Sequence, residues 1–333
     1  MFFLKISIII PVKPGGAVKA LQSLCYLDYP QKLYEILVAE GCNPSSQRNI
    51  AAAHASGDIL YFLDDDSLVT PQLLNKAVLH YQNNPAVAVV GGPSLTPTEN
   101  SVFQKAAGAV LASAFGSGGI RNRYRQTGTV RVTDDSELIL CNLSFRKDVF
   151  LQFGGLDERL YPNEENELMG RFKKAGKLLI HDPSIAILRS QRPSYNAFAK
   201  QIFGYGRGRA EQFHISREIK LFTLIPALFI LYVLTIPFFI ATPYVIPLIL
   251  YIVMTIYFSA MEGIKKGYEI GLLGMILYPT LHLCYGAGFI AGLLCPRFRK
   301  KLISEKGDIT IRRVKEMDSA VFKSDKSESF QWT

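Results

Sequence analysis

The chain has 333 residues, 49% of them hydrophobic, and a net charge of +9 at pH 7. The length allows two domains or one large domain. Five cysteines are present but no two form a CxxC pair, so the sequence predicts neither a disulfide framework nor a zinc site.

Four short apolar runs in the first hundred residues each end in a turn signal. They cover residues 6–12, 34–40, 58–64 and 86–92, with helical patterns between them. Strands that alternate with helices predict an α/β domain with a parallel sheet. Because ligands bind beyond the carboxyl ends of such strands, we expect Pro11, Glu40 and the residues after 63 to meet in one cleft.

The third apolar run leads directly into three carboxylates, Asp64, Asp65 and Asp66. One interpretation is a solvated turn before a helix, since Thr70 and Pro71 resemble an N-cap and a first helical residue. The other is a cation site, because a metal ion would neutralise the repulsion among like charges. Mg²⁺ commonly combines one or two carboxylates with substrate phosphates, so Asp64 and Asp66 favour a diphosphate substrate.

A second acidic cluster opens a predicted helix near residue 164. Asn163 is its predicted N-cap, Glu164, Glu165 and Glu167 fill its first turn, and Gly176 ends it. Acidic residues stabilise a helix N-terminus through the helix dipole, which is one interpretation of the cluster. A carboxylate beside a metal-bound diphosphate is also what a general base requires.

Two long stretches, 221–261 and 270–296, contain no Asp, Glu, Lys or Arg. The first would form about 60 Å of helix, enough for two crossings of a membrane core about 30 Å thick. We predict spans over 221–240 and 243–261. Pro279, Gly286, Gly288 and Gly292 interrupt the second stretch, so 270–295 is predicted as either a third span or a re-entrant segment.

Basic residues flank these apolar stretches, and the sequence predicts a membrane partner and no nucleic-acid partner. They are Lys200, Arg207, Arg209, Arg217 and Lys220 before the first span and Lys265 and Lys266 after the second. The positive-inside rule places both clusters in the cytoplasm, with the chain in the inner membrane. Residues 195–220 are predicted as an amphipathic helix on the membrane surface and residues 297–333 as a basic polar tail.

Four motifs in order, SIIIPVK (7–13), FLDDDS (62–67), GGLDE (154–158) and NEENEL (163–168), resemble the family 2 glycosyltransferases, which are inverting enzymes with the GT-A fold. The resemblance covers about residues 5–215. The membrane segments are similar to those of the succinoglycan-type branch, which builds exopolysaccharides on lipid carriers. The resemblance implies a catalytic GT-A domain over 1–194 that moves a sugar, with inversion, from a nucleotide diphosphate sugar to a polyprenyl-linked acceptor.

The resemblance also implies roles for individual residues. Asp64 and Asp66 would form the metal-binding motif for Mg²⁺ or Mn²⁺, with Asp66 the direct ligand, and Glu165 would be the catalytic base. Donor binding is assigned to Pro11, Val12, Glu40, Arg48, Asp64, Asp65, Arg207 and Arg209. The acceptor side is assigned to Asn142 and Glu164.

Two departures from the family pattern leave alternatives open. The usual DDGS reads AEGC at 39–42, which leaves the donor nucleotide undefined. The QxxRW motif of processive members is replaced by QIFGYGRGRAEQ at 201–212, which predicts the transfer of one sugar per encounter. In this segment Arg207 and Arg209 are expected to bind the diphosphate, to anchor the helix at the membrane, or to do both. The alternative functions are transfer to a lipid phosphate itself, and a non-catalytic, membrane-anchored subunit that binds sugar nucleotides.

Overall fold

The computed structural model of the protein describes residues 4–239, 242–298 and 309–318. The strands in these ranges are β1 (Ile6–Val12), β2 (Tyr34–Glu40), β3 (Ile59–Leu63), β4 (Val87–Gly91), β5 (Ser94–Leu95), β6 (Arg131–Val132), β7 (Asn142–Arg146), β8 (Leu178–His181), β9 (Ile187–Leu188) and β10 (Thr310–Lys315). The helices are α1 (Ala20–Leu24), α2 (Pro44–His54), α3 (Leu73–Asn83), α4 (Val102–Ala112), α5 (Ala114–Ser117), α6 (Lys147–Gln152), α7 (Glu164–Lys174), α8 (Tyr195–Ser216), α9 (Ile225–Thr235), α10 (Thr242–Lys266) and α11 (Tyr268–Leu294). Short 3₁₀ segments cover Gln31–Leu33, Gly118–Arg123, Leu221–Leu224 and Ile236–Phe238.

One mixed sheet organises the first half of the chain, in the order β10-β2-β1-β3-β7-β4-β8-β6. Strand β1 is parallel to both β2 and β3, while β7 is antiparallel to β3 and β4. The four apolar runs predicted as strands form β1, β2, β3 and β4. The carboxyl ends of β1, β2 and β3 therefore meet at one edge, as the alternating pattern predicts.

Helices cover both faces of this sheet. Side chains of α1 and α3 pack on one face, and those of α2, α6 and α7 pack on the other. On the second face Phe62, Phe145 and Phe150 form an aromatic cluster with ring centroids 5.4–5.5 Å apart. Burial on both faces explains why β1 and β3 are continuous apolar runs with no polar alternation.

Helices α8 and α11 touch through their backbones. A Cβ added at Gly206 would lie 2.0 Å from the carbonyl oxygen of Tyr285, and one at Gly288 would lie 2.0 Å from that of Phe203. The glycines expected to interrupt 270–295 lie within one continuous helix, α11. Their missing side chains let neighbouring helices approach the α11 backbone. Phe198 and Ile202 of α8 are buried in a core shared with α4 and α11.

Within the described ranges, three helical segments are long and apolar enough to cross a membrane, namely Leu221–Phe238, Pro243–Lys266 and Tyr268–Leu294. They include the spans predicted at 221–240 and 243–261, apart from Phe239, which follows the first segment, and Ile240, which lies outside the described residues. In the first of them only the 11 residues of α9 are α-helical.

A strand from the C-terminal region completes the sheet beside β2. Strand β10 runs antiparallel to β2, with Thr310 opposite Glu40. Nζ of the buried Lys315 donates to the Tyr34 carbonyl at 2.7 Å, and Arg313 pairs with the buried Glu35. This strand lies within the segment predicted as a polar tail; residues 299–308 and 319–333 of that tail lie outside the described residues.

Candidate active site

One end of the candidate cleft is built at the carboxyl ends of β1 and β2. Val12 and Glu40 face each other in the strand register, and Pro11 and Val12 are buried there. The Glu40 carboxylate accepts a hydrogen bond from the Gly15 N–H at 2.9 Å, and so holds the turn that follows β1. The three residues assigned to the nucleotide base therefore lie together at one edge of the sheet.

Asp64, the first residue after β3, lies between two guanidinium groups. Its carboxylate is 2.7 Å from Nη2 of Arg48 and 3.0 Å from Nη2 of Arg189. Burial alone would raise the pKa of Asp64, but Arg189, Arg48 and Arg192 together lower that pKa below its usual value. Asp64 is therefore held as an anion.

Arg189 also binds the third carboxylate of the triplet. Its Nε lies 2.8 Å from Oδ1 of Asp66, so Asp64 and Asp66 converge on a single positive group. Burial, and then the charges of Asp66 and Asp64, raise the pKa of Asp65. The crowding of negative charge expected from the sequence is therefore present, and Arg189 offsets part of it.

The donor set of Asp64 and Asp66 fits a hard divalent cation, because both supply carboxylate oxygens that already meet at one cationic group. Within the described ranges no cluster of three or more His, Cys, Asp or Glu side chains is arranged around a metal position. The fit is therefore to an ion that takes its remaining ligands from substrate phosphates and water.

Glu164 lies on the same side as the triplet. Its carboxylate is buried and stands 3.5 Å from Nη1 of Arg48, which thereby bridges Asp64 and Glu164. Burial, together with the neighbouring Glu165, raises the pKa of Glu164 to about 8. Glu164 was assigned to the acceptor, whereas its contact in the structure is with Arg48, a residue assigned to the donor.

Glu165 occupies a different environment from its neighbour. It lines a cavity, with its carboxylate 4.0 Å from Nη1 of Arg123 and 3.5 Å from the amide nitrogen of Asn166. Arg123 is itself held in place because it donates to Asn166 at 2.6 Å and to the Ser136 carbonyl at 2.9 Å. Of the adjacent pair, Glu165 is therefore the carboxylate that borders open space.

Arg207 and Arg209 lie on α8. Arg209 lines the same cavity as Glu165 and contacts Gln212 at 2.9 Å and Asp135 at 3.5 Å. Arg207 lies 3.6 Å from Glu211, one turn along the same helix. The contacts of these two arginines differ from those of Arg48 and Arg189, which bind the aspartate triplet.

Asn142, assigned to the acceptor side, is fully buried in β7. It accepts a hydrogen bond from the Tyr61 hydroxyl at 2.7 Å and donates to the carbonyls of Ile185 at 2.7 Å and Pro93 at 3.2 Å. These bonds tie β7 to the segments that follow β4 and β8. In this structure Asn142 supports the edge of the sheet.

Arg189 is the site residue that the sequence interpretation missed. It follows β9 directly, and β9 pairs with β5, so the guanidinium reaches the triplet from a strand outside the main sheet. The available signal was the pair of arginines, Arg189 and Arg192, that follows an apolar run at 185–188.

Comparison with known proteins adds three findings. Residues 16–150 match the family described as Glycosyl transferase family 2. The succinoglycan biosynthesis protein ExoA of Rhizobium meliloti (strain 1021) is 26% identical over 205 residues, which is 54% of this chain and 60% of that relative. The match thus spans less than two thirds of the relative's length.

Among solved structures, the mannosyltransferase PcManGT from Pyrobaculum calidifontis, in complex with GDP-Man and Mn²⁺, is similar in fold. Its TM-score is 0.52 with 13% sequence identity, and the match covers 88% of each chain. The predicted fold class, a GT-A α/β domain followed by apolar helices that could span a membrane, is confirmed.

Proposed function

We propose that this chain, in which residues 16–150 form a glycosyl transferase family 2 domain, transfers a sugar from a nucleotide diphosphate sugar to a lipid-linked acceptor with inversion. The proposal rests on the different environments of two adjacent carboxylates, Glu164 and Glu165. Glu164 joins the cation-bridged triplet through Arg48, whereas Glu165 borders a cavity that apolar C-terminal helices help to form.

The donor would lie along the carboxyl ends of β1, β2 and β3. Pro11, Val12 and Glu40 would contact the base, and Arg48 with Arg189 would bind the diphosphate. Asp64 and Asp66 would hold Mg²⁺ or Mn²⁺, which when bound would neutralise charge on the diphosphate. Arg189 would then exchange its contact with the carboxylates for the phosphate oxygens, since guanidinium groups bind both.

Glu165 would act as the general base. Its carboxylate would take the proton from an acceptor hydroxyl as that oxygen forms a bond to the anomeric carbon. The bond from that carbon to the diphosphate oxygen would break on the opposite side, and the electron pair would leave with the nucleotide. Attack opposite the leaving group inverts the anomeric configuration, and Arg123 would keep the Glu165 carboxylate oriented.

The acceptor is proposed to be a polyprenyl-linked sugar, and the pathway exopolysaccharide synthesis. Support comes from the similarity to a succinoglycan biosynthesis protein and from the three apolar helices next to the catalytic domain. Because basic residues cluster between positions 200 and 220, the positive-inside rule would place the catalytic domain on the cytoplasmic side of the inner membrane.

Transfer directly to a lipid phosphate is the second candidate. Two buried arginines, Arg123 and Arg209, line the cavity beside Glu165 and could bind such a phosphate. A phosphate oxygen needs no base, so Glu165→Gln would then retain activity. That variant separates the two functions.

A donor screen tests the proposal. Purified protein in detergent is incubated with nucleotide diphosphate sugars, a lipid-linked sugar acceptor and Mg²⁺ or Mn²⁺, and nucleotide diphosphate release is followed. We expect one donor class to be consumed, and expect EDTA or Asp66→Ala to reduce turnover by about 100-fold or more. Asp148→Asn, at an exposed position on α6, is the matched control. Turnover that survives both EDTA and Asp66→Ala would refute the metal site.

A further inference from the structure

The cavity beside Glu165 has walls from two parts of the molecule. Its volume is about 340 Å³, within the usual range for ligand pockets. The catalytic domain and α8 contribute the polar side chains Arg123, Asn163, Glu165 and Arg209. The C-terminal region contributes Phe222, Ile225, Pro226, Leu281, His282 and Tyr285.

The polar wall has an unsatisfied donor. Arg209 is 8% exposed, and its Nε has no hydrogen-bond partner. Its carboxylate partner Asp135 is shared, at 3.5 Å from Arg209 and 2.7 Å from Lys220. Buried guanidinium groups are normally fully hydrogen-bonded, so an open Nε beside a cavity favours an anionic ligand.

We propose that this cavity binds the phosphate-bearing end of an isoprenoid lipid-linked acceptor. Arg123 and Arg209 would contact the phosphate, and the first isoprene units would lie along Phe222, Ile225 and Leu281. The sugar next to the phosphate would then meet Glu165. This inference rests on the proposed function. It commits to a lipid and not to free phosphate, because the apolar wall belongs to segments that could enter a membrane and Ile225 is 63% exposed.

A pair of substitutions on one helix tests the site. Ile225→Trp fills the cavity mouth, while Leu228→Trp, at a 58% exposed position outside the cavity, is the matched control. Two acceptors are compared. One is a sugar linked to a short prenyl chain through a diphosphate, and the other is the same sugar with neither diphosphate nor prenyl chain. We expect Ile225→Trp to raise KM for the prenyl acceptor at least about tenfold, since contact with buried isoprene carbons is lost.

Three outcomes are distinguishable. KM for the donor, and KM for the lipid-free sugar, should stay unchanged in Ile225→Trp, and Arg209→Gln should weaken only the phosphate-bearing acceptor. If Ile225→Trp behaves like Leu228→Trp while the wild type transfers sugar, the cavity assignment is wrong. If the wild type transfers no sugar to any acceptor, the proposed function fails first, and with it this inference.

Discussion

The edge of the sheet proposed to bind the donor, at the carboxyl ends of β1, β2 and β3 and here called the donor edge, differs from the α8–α11 contact in what holds it together. At the donor edge, charged side chains from separate elements bind one another, as in the set of Arg48, Arg189, Asp64 and Asp66. At the α8–α11 contact the two backbones touch where side chains are absent, at Gly206 and Gly288. The first arrangement can exchange partners when a ligand arrives, whereas the second leaves no space for rearrangement.

This difference indicates a division of roles. Ion pairs between side chains can be replaced by contacts of the same kind with phosphates and a metal, so the donor edge is suited to binding. Close helix contacts through glycine fix the position of a helix, so α8 and α11 hold the cavity wall in place next to Glu165. Substitutions should therefore affect catalysis at the first region and stability at the second.

The largest effect is expected at the boundary of the two regions. Glu165→Gln should lower kcat by at least about 100-fold, because a general base contributes that much, and leave KM for the donor nearly unchanged. Steady-state kinetics with a sugar-hydroxyl acceptor measures this. Glu167→Gln is the control, since Glu167 pairs with Arg171 at 2.8 Å, and it should lose less. Near wild-type activity in Glu165→Gln would favour the lipid-phosphate acceptor.

The donor edge should respond in two directions to Arg189→Ala. Nucleotide diphosphate binding should weaken by about tenfold, as expected when a charge-assisted hydrogen bond is lost. Binding of Mn²⁺ alone should strengthen, since Asp64 and Asp66 lose a competing cation. Calorimetry on the full chain in detergent measures both. Arg159→Ala, at an exposed arginine paired with Asp157, is the control, and equal behaviour of the two variants would exclude a donor role for Arg189.

The helix contact should respond in stability and not in donor binding. Gly206→Ala places a methyl 2.0 Å from the Tyr285 carbonyl, and overpacking of this kind typically costs about 1–3 kcal/mol of unfolding free energy. Gly204→Ala, two residues earlier on α8, meets nothing within 4 Å and should be neutral or stabilising, because alanine favours the helix. Thermal unfolding in detergent compares them. Equal melting temperatures would contradict the close backbone contact.

The smallest expected effect is a pH dependence at Glu164. The pKa of Glu164 is raised to about 8, above its usual value, so the folded state prefers the protonated form. Its contribution to stability is therefore present at low pH and is lost as pH rises through about 8. Glu164→Gln, which cannot ionise, should gain about 1 kcal/mol of unfolding free energy over the wild type between pH 6 and pH 7, at the rate of 1.4 kcal/mol per pKa unit. A constant difference in melting temperature across this range would refute the shift.

Much of the catalytic domain could be predicted from the sequence. The apolar runs form β1, β2, β3 and β4 within a residue or so of their predicted bounds, and the acidic residues fall where the runs end. Glu164 and Glu165 begin α7 directly after Asn163, as predicted, although the Asn163 side chain makes no capping hydrogen bond. These features depend on short-range patterns, because the continuity of an apolar run, and what ends it, are set by neighbours in the chain.

Other features could not be predicted in this way. Arg189 is more than 120 residues from Asp66, and Asn142 reads as an acceptor residue until its three buried hydrogen bonds are seen. The glycines of α11 read as helix interruptions until α8 lies against them. The residue type at one position does not show whether its side chain faces a ligand, the core or another helix.

The sequence by itself determined the α/β class, the acidic residues of the site and the long apolar helices, because strand and helix periods and uncharged runs are local properties. Only the tertiary structure decided which of Glu164 and Glu165 borders the cavity, which arginine binds Asp66, and that β10 returns to β2. These outcomes depend on contacts between segments far apart in the chain, and such contacts form only when the whole sheet and its helices have packed.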